Sequence, residues 1–174
     1  MVSVWLLWGY RMNVEIRPQR VSDAKRYFEI LSSPNFHYLP AKPKTLEEEM
    51  QFLRLNSEKR RNGTEFNFSI IYNGRHVGAI GVRLDTFRPY IGEIGFFVDE
   101  KYWGRGITTE ALRKLEEFVI GRTDITRIEI RMAKQNKASQ RIAVKGGYKK
   151  EGILAQMLFV QDKCFDCYLY SKIL

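Results

Sequence analysis

Apolar residues in this chain recur at two spacings, and the switches between them mark out its elements. From residue 14 the order Val-Glu-Ile-Arg alternates apolar and polar, the two-residue period of a half-buried strand, and Pro18 ends it. Ser22 then stands where a helix N-cap belongs, ahead of Ala24, Tyr27, Phe28 and Leu31 at helical spacing. A loop holding Pro34, Pro40 and Pro43 follows. Thr45 with Glu48 three residues on spells a capping box for a second helix, with Met50, Leu53 and Leu55 expected to face inward. That helix stops in Lys59-Arg60-Arg61-Asn62-Gly63, a basic last turn followed by glycine. Two strands, 66–72 and 76–84, flank Asn73-Gly74, a strong signal for a tight hairpin, and 90–98 reads as a further strand. Ile107, Ala111, Leu112, Leu115, Phe118 and Val119 share one face of a third helix. A strand over 126–132, a short helix over 137–145 and closing strands over 148–153 and 163–171 complete the chain. The order βααβββαβαββ, without internal repeat, low-complexity tract or linker, describes one mixed α/β domain.

Composition narrows this picture a little. A chain of 174 residues suits one domain and can bury roughly 70% of its unfolded surface. With 44% hydrophobic and 28% charged residues it is an ordinary globular sequence. Its 29 Lys and Arg against 20 Asp and Glu give a net charge of +9, which favours polyanionic ligands, from nucleic acid to a phosphorylated cofactor. The best support for nucleic acid is Lys59-Arg60-Arg61, and a basic helix end explains that run without it, so nucleic acid is not the expected partner. Cys164 and Cys167 form a lone C-x-x-C with no second Cys or His pair, and residues three apart on a strand face opposite sides. No metal site is expected, and the sparse cysteine usage fits a reducing cytoplasm. The opening MVSVWLLWGYR lacks a basic leader and a small-residue cleavage site, and its apolar run is too short to span a bilayer. Residues 1–11 read as an extension from an upstream start, or an added strand, ahead of a domain over 12–174.

The densest chemistry lies in VDEKYWGRGITTEAL, residues 98–112, where a strand runs through Gly104-Arg105-Gly106 directly into a helix. The glycines remove side chains where a ligand needs to touch backbone, and the free N–H groups of the first helical turn suit an anion. A P-loop would need G-x-x-x-x-G-K-[ST], which is absent, and the third glycine of a Rossmann fingerprint is here Thr109. A cofactor with a diphosphate and a long arm remains, with coenzyme A leading.

The run EIGFFVDEKYWGRGITTEAL, followed by NKASQRIAVKGGYKKEG, closely resembles the GCN5-related N-acetyltransferases, or GNAT proteins, and within them the RimJ/RimL-like branch. The resemblance covers about residues 12–172 and implies a GNAT-like α/β (α+β mixed) fold: a mostly antiparallel central sheet of about seven strands flanked by about four helices. It implies acetyl-CoA as co-substrate. The backbone of Phe97 and Val98 would hold its pantetheine arm as an added strand would, and N–H groups of Gly104, Arg105, Gly106, Ile107, Thr108 and Thr109 would take the diphosphate. Lys101, Asn136 and Lys145 complete the expected cofactor set, Asn136 on the pantetheine amides. Lys101 departs from the family's Gln or Arg. Ala143 stands where many relatives carry a general-acid tyrosine, which moves that role to Ser139.

Acetyl transfer needs a neutral amine, a polarised carbonyl and relief for the leaving thiolate. At pH 7, deprotonating an α-amine costs about 1.4 kcal/mol and a lysine roughly 4.6, so a protein or peptide N-terminus needs only a weak base. Glu93 is the expected base, directly or through water, and a strand N–H near Val98 the expected oxyanion donor. The expected acceptor is a protein or peptide α-amine, attacking directly in a ternary complex. The alternatives are a small-molecule amine or a catalytically silent acyl-CoA-binding module. The acceptor pocket is expected from the loops near 32–44, with His37 a candidate lining residue, and near 85–91. Monomer and homodimer are both compatible with the sequence.

Overall fold

The computed structural model describes residues 13–39, 42–160 and 162–174, so residues 1–11 and Pro40 lie outside the described residues. Among the described residues seven strands are formed: β1 (Val14–Pro18), β2 (Glu65–Tyr72), β3 (Arg75–Leu84), β4 (Ile91–Val98), β5 (Arg127–Ala133), β6 (Lys149–Val160) and β7 (Lys163–Ile173). Four helices join them: α1 (Ala24–Leu31), α2 (Leu46–Arg61), α3 (Ile107–Arg122) and α4 (Lys137–Lys145). The strands make one sheet in the order β1-β2-β3-β4-β5-β7-β6. Every neighbouring pair is antiparallel except β4 and β5.

That exception positions the site. β4 and β5 pair only at Ile91/Arg127, Gly92/Ile128 and Glu93/Glu129. Beyond Glu93, β4 stays with β3 as far as Val98/Gly78, while β5 stays with β7 as far as Ala133/Cys167. The two half-sheets part there, and the β4 edge toward β5 is left without a strand partner over 94–98. Gly78 lets β3 come close behind this segment, since a Cβ there would lie 2.2 Å from the Phe97 carbonyl oxygen.

Alternation along the strands sorts the residues onto two faces. Ile80, Val82, Ile94, Ile128 and Ile130 pack with Leu112, Leu115 and Val119 of α3 and Ala143 of α4 in the main core. Burying each such Leu or Ile stabilises the fold by about 1.5–3 kcal/mol. On the opposite face Ala79 meets Tyr27 of α1 and Leu53 of α2, with Phe97 against them. A buried polar network ties this face down. Arg17 grips Asp23 through both nitrogens at 2.7 and 2.8 Å, Ser69 donates to Asp23 at 2.9 Å, and the Tyr27 hydroxyl lies 2.8 Å from Ser69 Oγ.

Several local expectations change. Ser22 is exposed and does not cap α1; the chain first makes a 3₁₀ turn over Val21–Asp23, in which Asp23 accepts from the Arg20 N–H at 2.9 Å. Thr45 does accept from the Glu48 N–H, but the Glu48 carboxylate reaches back to the Lys44 N–H rather than to Thr45. Leu53 is buried on α2, whereas Leu55 is exposed, because two residues along a helix turn the side chain about 200° away. The hairpin turn is as read, with Asn73 and Gly74 both at positive φ. Strand β6 runs on to Val160, seven residues past the expected end, because β7 pairs with it along that length.

Candidate active site

The wedge between β4 and β5 opens into two cavities, one on each face of the sheet. The first, about 450 Å³, lies between the ends of β4 and β5 and the N-termini of α3 and α4. Helix α3 begins without any side-chain cap: its N-cap is Gly106 at φ +77°, preceded by Gly104 at φ +78°. Both angles sit where a Cβ is strained, so glycine there is a backbone requirement. The first N–H groups of α3, at residues 107 to 109, have no carbonyl within the helix and border the cavity. Helix α4 brings a second N-terminus to the same place, and its own cap is Asn136, whose Oδ1 accepts from the Ser139 N–H at 3.1 Å.

Charge completes this cleft. Arg105, Lys137, Arg141 and Lys145 line it, and among the described residues no Asp or Glu does. The last three recur at i, i+4 and i+8, one stripe along α4. Two helix N-termini, four cations and a bare strand edge form a site for an extended polyanion. Of the residues expected to hold the cofactor, Phe97, Val98, Gly104 to Thr109, Asn136 and Lys145 meet here. Lys101 does not. The 3₁₀ turn Glu100–Tyr102 swings it outward to a shallow pocket beside Arg26 and Ser33, and its own N–H is spent on Asp99 Oδ1 at 3.0 Å. Sequence reasoning missed Lys137 and Arg141, although their four-residue spacing on a short helix was a readable signal.

Trp103 also has more than a packing role. Its indole N–H donates to the Val98 carbonyl at 2.6 Å, and its ring meets Phe36 edge-on, with centroids 6.1 Å apart. Phe36 in turn packs on Phe97, and Ser33 and Asn35 both donate to Glu100. The loop after α1 is therefore fastened to the glycine turn. His37 of that loop is exposed and borders the first cavity, not the second.

The second cavity, about 710 Å³, lies on the α1/α2 side of the sheet. Glu93 lines it and is absent from the first. Its Oε2 faces Arg83 at 3.0 Å and Arg131 at 3.6 Å, while Oε1 has no protein partner among the described residues. Arg131 continues to Glu129 and Glu129 to Arg127, so an ion-pair ladder crosses from β3 to β5 where the backbone pairing ends. Tyr38, Leu39, Phe96, Phe97, Asn136 and Ser139 border both cavities. The Ser139 hydroxyl has no hydrogen-bond partner among the described residues. Ala143 is wholly buried in the core, lines neither cavity and carries no hydroxyl. Cys167 is buried, borders only the second cavity, and has its thiol pushed up by burial, while Cys164 is exposed. The 85–91 loop lines neither cavity, unlike the expectation. Among the described residues no group of three or more His, Cys, Asp or Glu could hold a metal, and no helix is long and apolar enough to cross a membrane.

A model of the acetyltransferase (GNAT) domain matches residues 13–149. The chain belongs to the GNAT acetyltransferase family. This GNAT chain is 23% identical over 166 residues, 93% of each chain, to the uncharacterised N-acetyltransferase p20 of Bacillus licheniformis. It is 33% identical over 82 residues to the ribosomal-protein-serine acetyltransferase of Escherichia coli, covering 47% of this chain and 46% of that one. Among solved structures it is similar to RimL, a ribosomal L7/L12 alpha-N-protein acetyltransferase in complex with coenzyme A, with TM-score 0.83, 20% identity, and 92% and 94% of the two chains covered. It is also similar to the microcin C7 self-immunity acetyltransferase MccE, in complex with acetyl-CoA and AMP, with TM-score 0.82, 18% identity and 92% of each chain covered. The GNAT fold and an acyltransferase activity follow.

Proposed function

We propose that this GNAT protein transfers the acetyl group of acetyl-CoA to the α-amine of a protein or peptide, by direct attack in a ternary complex. The observation that carries the reading is the pair of cavities on opposite faces of the sheet, joined at the wedge by Phe96, Phe97, Asn136 and Ser139. Two substrates entering from opposite faces meet there without a covalent relay. Acetyl-CoA supplies an activated acetyl thioester. The cationic cleft fits its phosphates, and the unpartnered β4 edge fits its pantetheine amides.

The chain's own groups divide the proton work. Glu93, through its unpartnered Oε1, takes the proton that the ammonium must lose, directly or across one water. The bare β4 edge near Val98 offers its N–H to the carbonyl oxygen as charge builds there. As nitrogen bonds to the acyl carbon and the carbon–sulfur bond breaks, the Ser139 hydroxyl gives its proton to the departing sulfur and regains one, through water, from the proton that the acylated nitrogen loses. Tyr38 is the other hydroxyl residue reaching both cavities, so Ser139→Ala and Tyr38→Phe separate the two donors.

The test is thiol release from acetyl-CoA across peptides with varied first residues and a panel of small amines. Peptide-dependent release supports the reading, while release with small amines alone assigns the small-molecule alternative. Tight acetyl-CoA binding with no release for any acceptor overturns catalysis in favour of a silent binding module.

A further inference from the structure

The second cavity is larger than one amine requires, and its floor is bare. Asn67 of β2, Gly81 of β3 and Gly95 of β4 stand side by side across three strands. They share the face on which Ala79 and Phe97 meet α1 and α2. The two glycines serve different ends. A Cβ on Gly81 would lie 1.9 Å from Asn67 Oδ1, so the Asn67 side chain already covers that position. Asn67 is fixed there, its Nδ2 donating to Glu65 at 2.8 Å, with Glu65 paired to Lys59 at 2.8 Å.

Gly95 has no such reason to be glycine. A Cβ there would meet nothing within 4 Å among the described residues, and its φ is not positive. Glycine inside a strand weakens it, and where neither a neighbour nor the backbone angle demands it, close approach of a ligand or another backbone is the remaining physical reason. Gly95 lies in the second cavity between Glu93 and Phe97.

Two further observations describe what approaches. Phe52 on α2 and Met157 and Phe159 on β6 border this same cavity, and they are 46%, 51% and 60% exposed. Exposed apolar side chains bordering one groove are suited to apolar side chains of a ligand. The lining charges, Arg83 and Arg131 against Glu65 and Glu93, cancel, so the groove offers no field for a polycation.

We propose that Gly95 determines the acceptor: its bare backbone is the bed for the first residues of an extended peptide, whose apolar side chain shortly after the N-terminus packs on Phe52, Met157 and Phe159. This inference rests on the acetyl-transfer reading of the site, and a free small amine has no main chain to lay on the bed.

The experiment compares wild type with Gly95→Ala and Gly95→Val, all first shown to bind acetyl-CoA by calorimetry. Peptides carrying Leu or Asp at their second residue are titrated onto the CoA-loaded proteins by fluorescence anisotropy, alongside thiol release. A Val side chain filling the bed is expected to weaken Leu-peptide binding about tenfold or more, with Ala intermediate. Phe159→Asp is expected to erase the preference for Leu over Asp. Unchanged peptide binding in a Gly95→Val protein that still binds acetyl-CoA overturns the inference, as does a small amine turned over as efficiently as the best peptide. Gly95-dependent peptide binding without thiol release supports the bed and overturns the transfer reading instead.

Discussion

Ser139 shows how one side chain becomes available for chemistry. Its N–H is spent on the Asn136 cap, which fixes the first turn of α4, while its hydroxyl is left facing the wedge. Ser139→Ala is expected to lower kcat about 10²-fold with little change in the KM for acetyl-CoA, as removal of a general acid should. Steady-state kinetics check this, and Tyr38→Phe, by the same measurement, should leave kcat near wild type. Glu49 makes a different prediction. It is buried on α2 with no charged partner among the described residues, and burial pushes its carboxyl up to about 7. A carboxyl raised in the folded state adds stability below its unfolded value near 4.5, and that stability is lost as pH rises through about 7. Glu49→Gln should therefore be more stable than wild type at pH 8 and nearly equal to it at pH 4, as read by urea unfolding. At this scale Ser139 was legible, because a helix start and a motif both mark it. Arg131 and Tyr38 were not, because nothing local says which strands will part or where a loop will land.

Helices α3 and α4 each bring an N-terminus to one point, and α4 adds its stripe of cations. Replacing Lys137, Arg141 or Lys145 by Gln should raise the Kd for acetyl-CoA about 3- to 10-fold each, the effect of losing one partly exposed phosphate contact. The penalty should shrink in high salt, where such charges are screened, and calorimetry at two ionic strengths reads both. Gly106→Val places a β-branched residue at φ +77°, and it should both destabilise the protein by about 1–3 kcal/mol and weaken acetyl-CoA binding. The elements themselves were largely written in the sequence. Periodicity located all four helices, and Asn73-Gly74 fixed its hairpin. Where expectations failed, a tertiary partner decided: Ser22 gave up the expected N-cap as Asp23 beside it became the anchor for Arg17 and Ser69, and β7 drew β6 out to Val160.

For the molecule as a whole, the decisive feature is a sheet that is continuous at one end and split at the other. The Arg17–Asp23–Ser69–Tyr27 network fastens the start of α1 to the half that carries β4. Burial alone would raise the Asp23 carboxyl, but hydrogen bonds from Arg17, the Arg20 N–H and Ser69 outweigh it and hold it down at about 2. Stability from this lowered acid is present above its unfolded value near 3.8 and is lost as pH falls toward 2. Asp23→Asn should thus be less stable than wild type at pH 6, by about 2 kcal/mol, with the gap closing by pH 2 in unfolding curves. By itself, the sequence determined the order of strands and helices, the glycine turn with its anion-binding helix start, and a resemblance specific enough to place the chain among GNAT proteins. These are local properties, set by side-chain period, backbone freedom and residues close along the chain. Only the tertiary structure decided that β4 and β5 part after Glu93, that Lys101 turns away, and that Glu93 and Ser139 border cavities joined through one wedge. Those outcomes depend on pairings between residues far apart in sequence, and no pattern within one segment specifies which of its backbone hydrogen bonds will be left unmade.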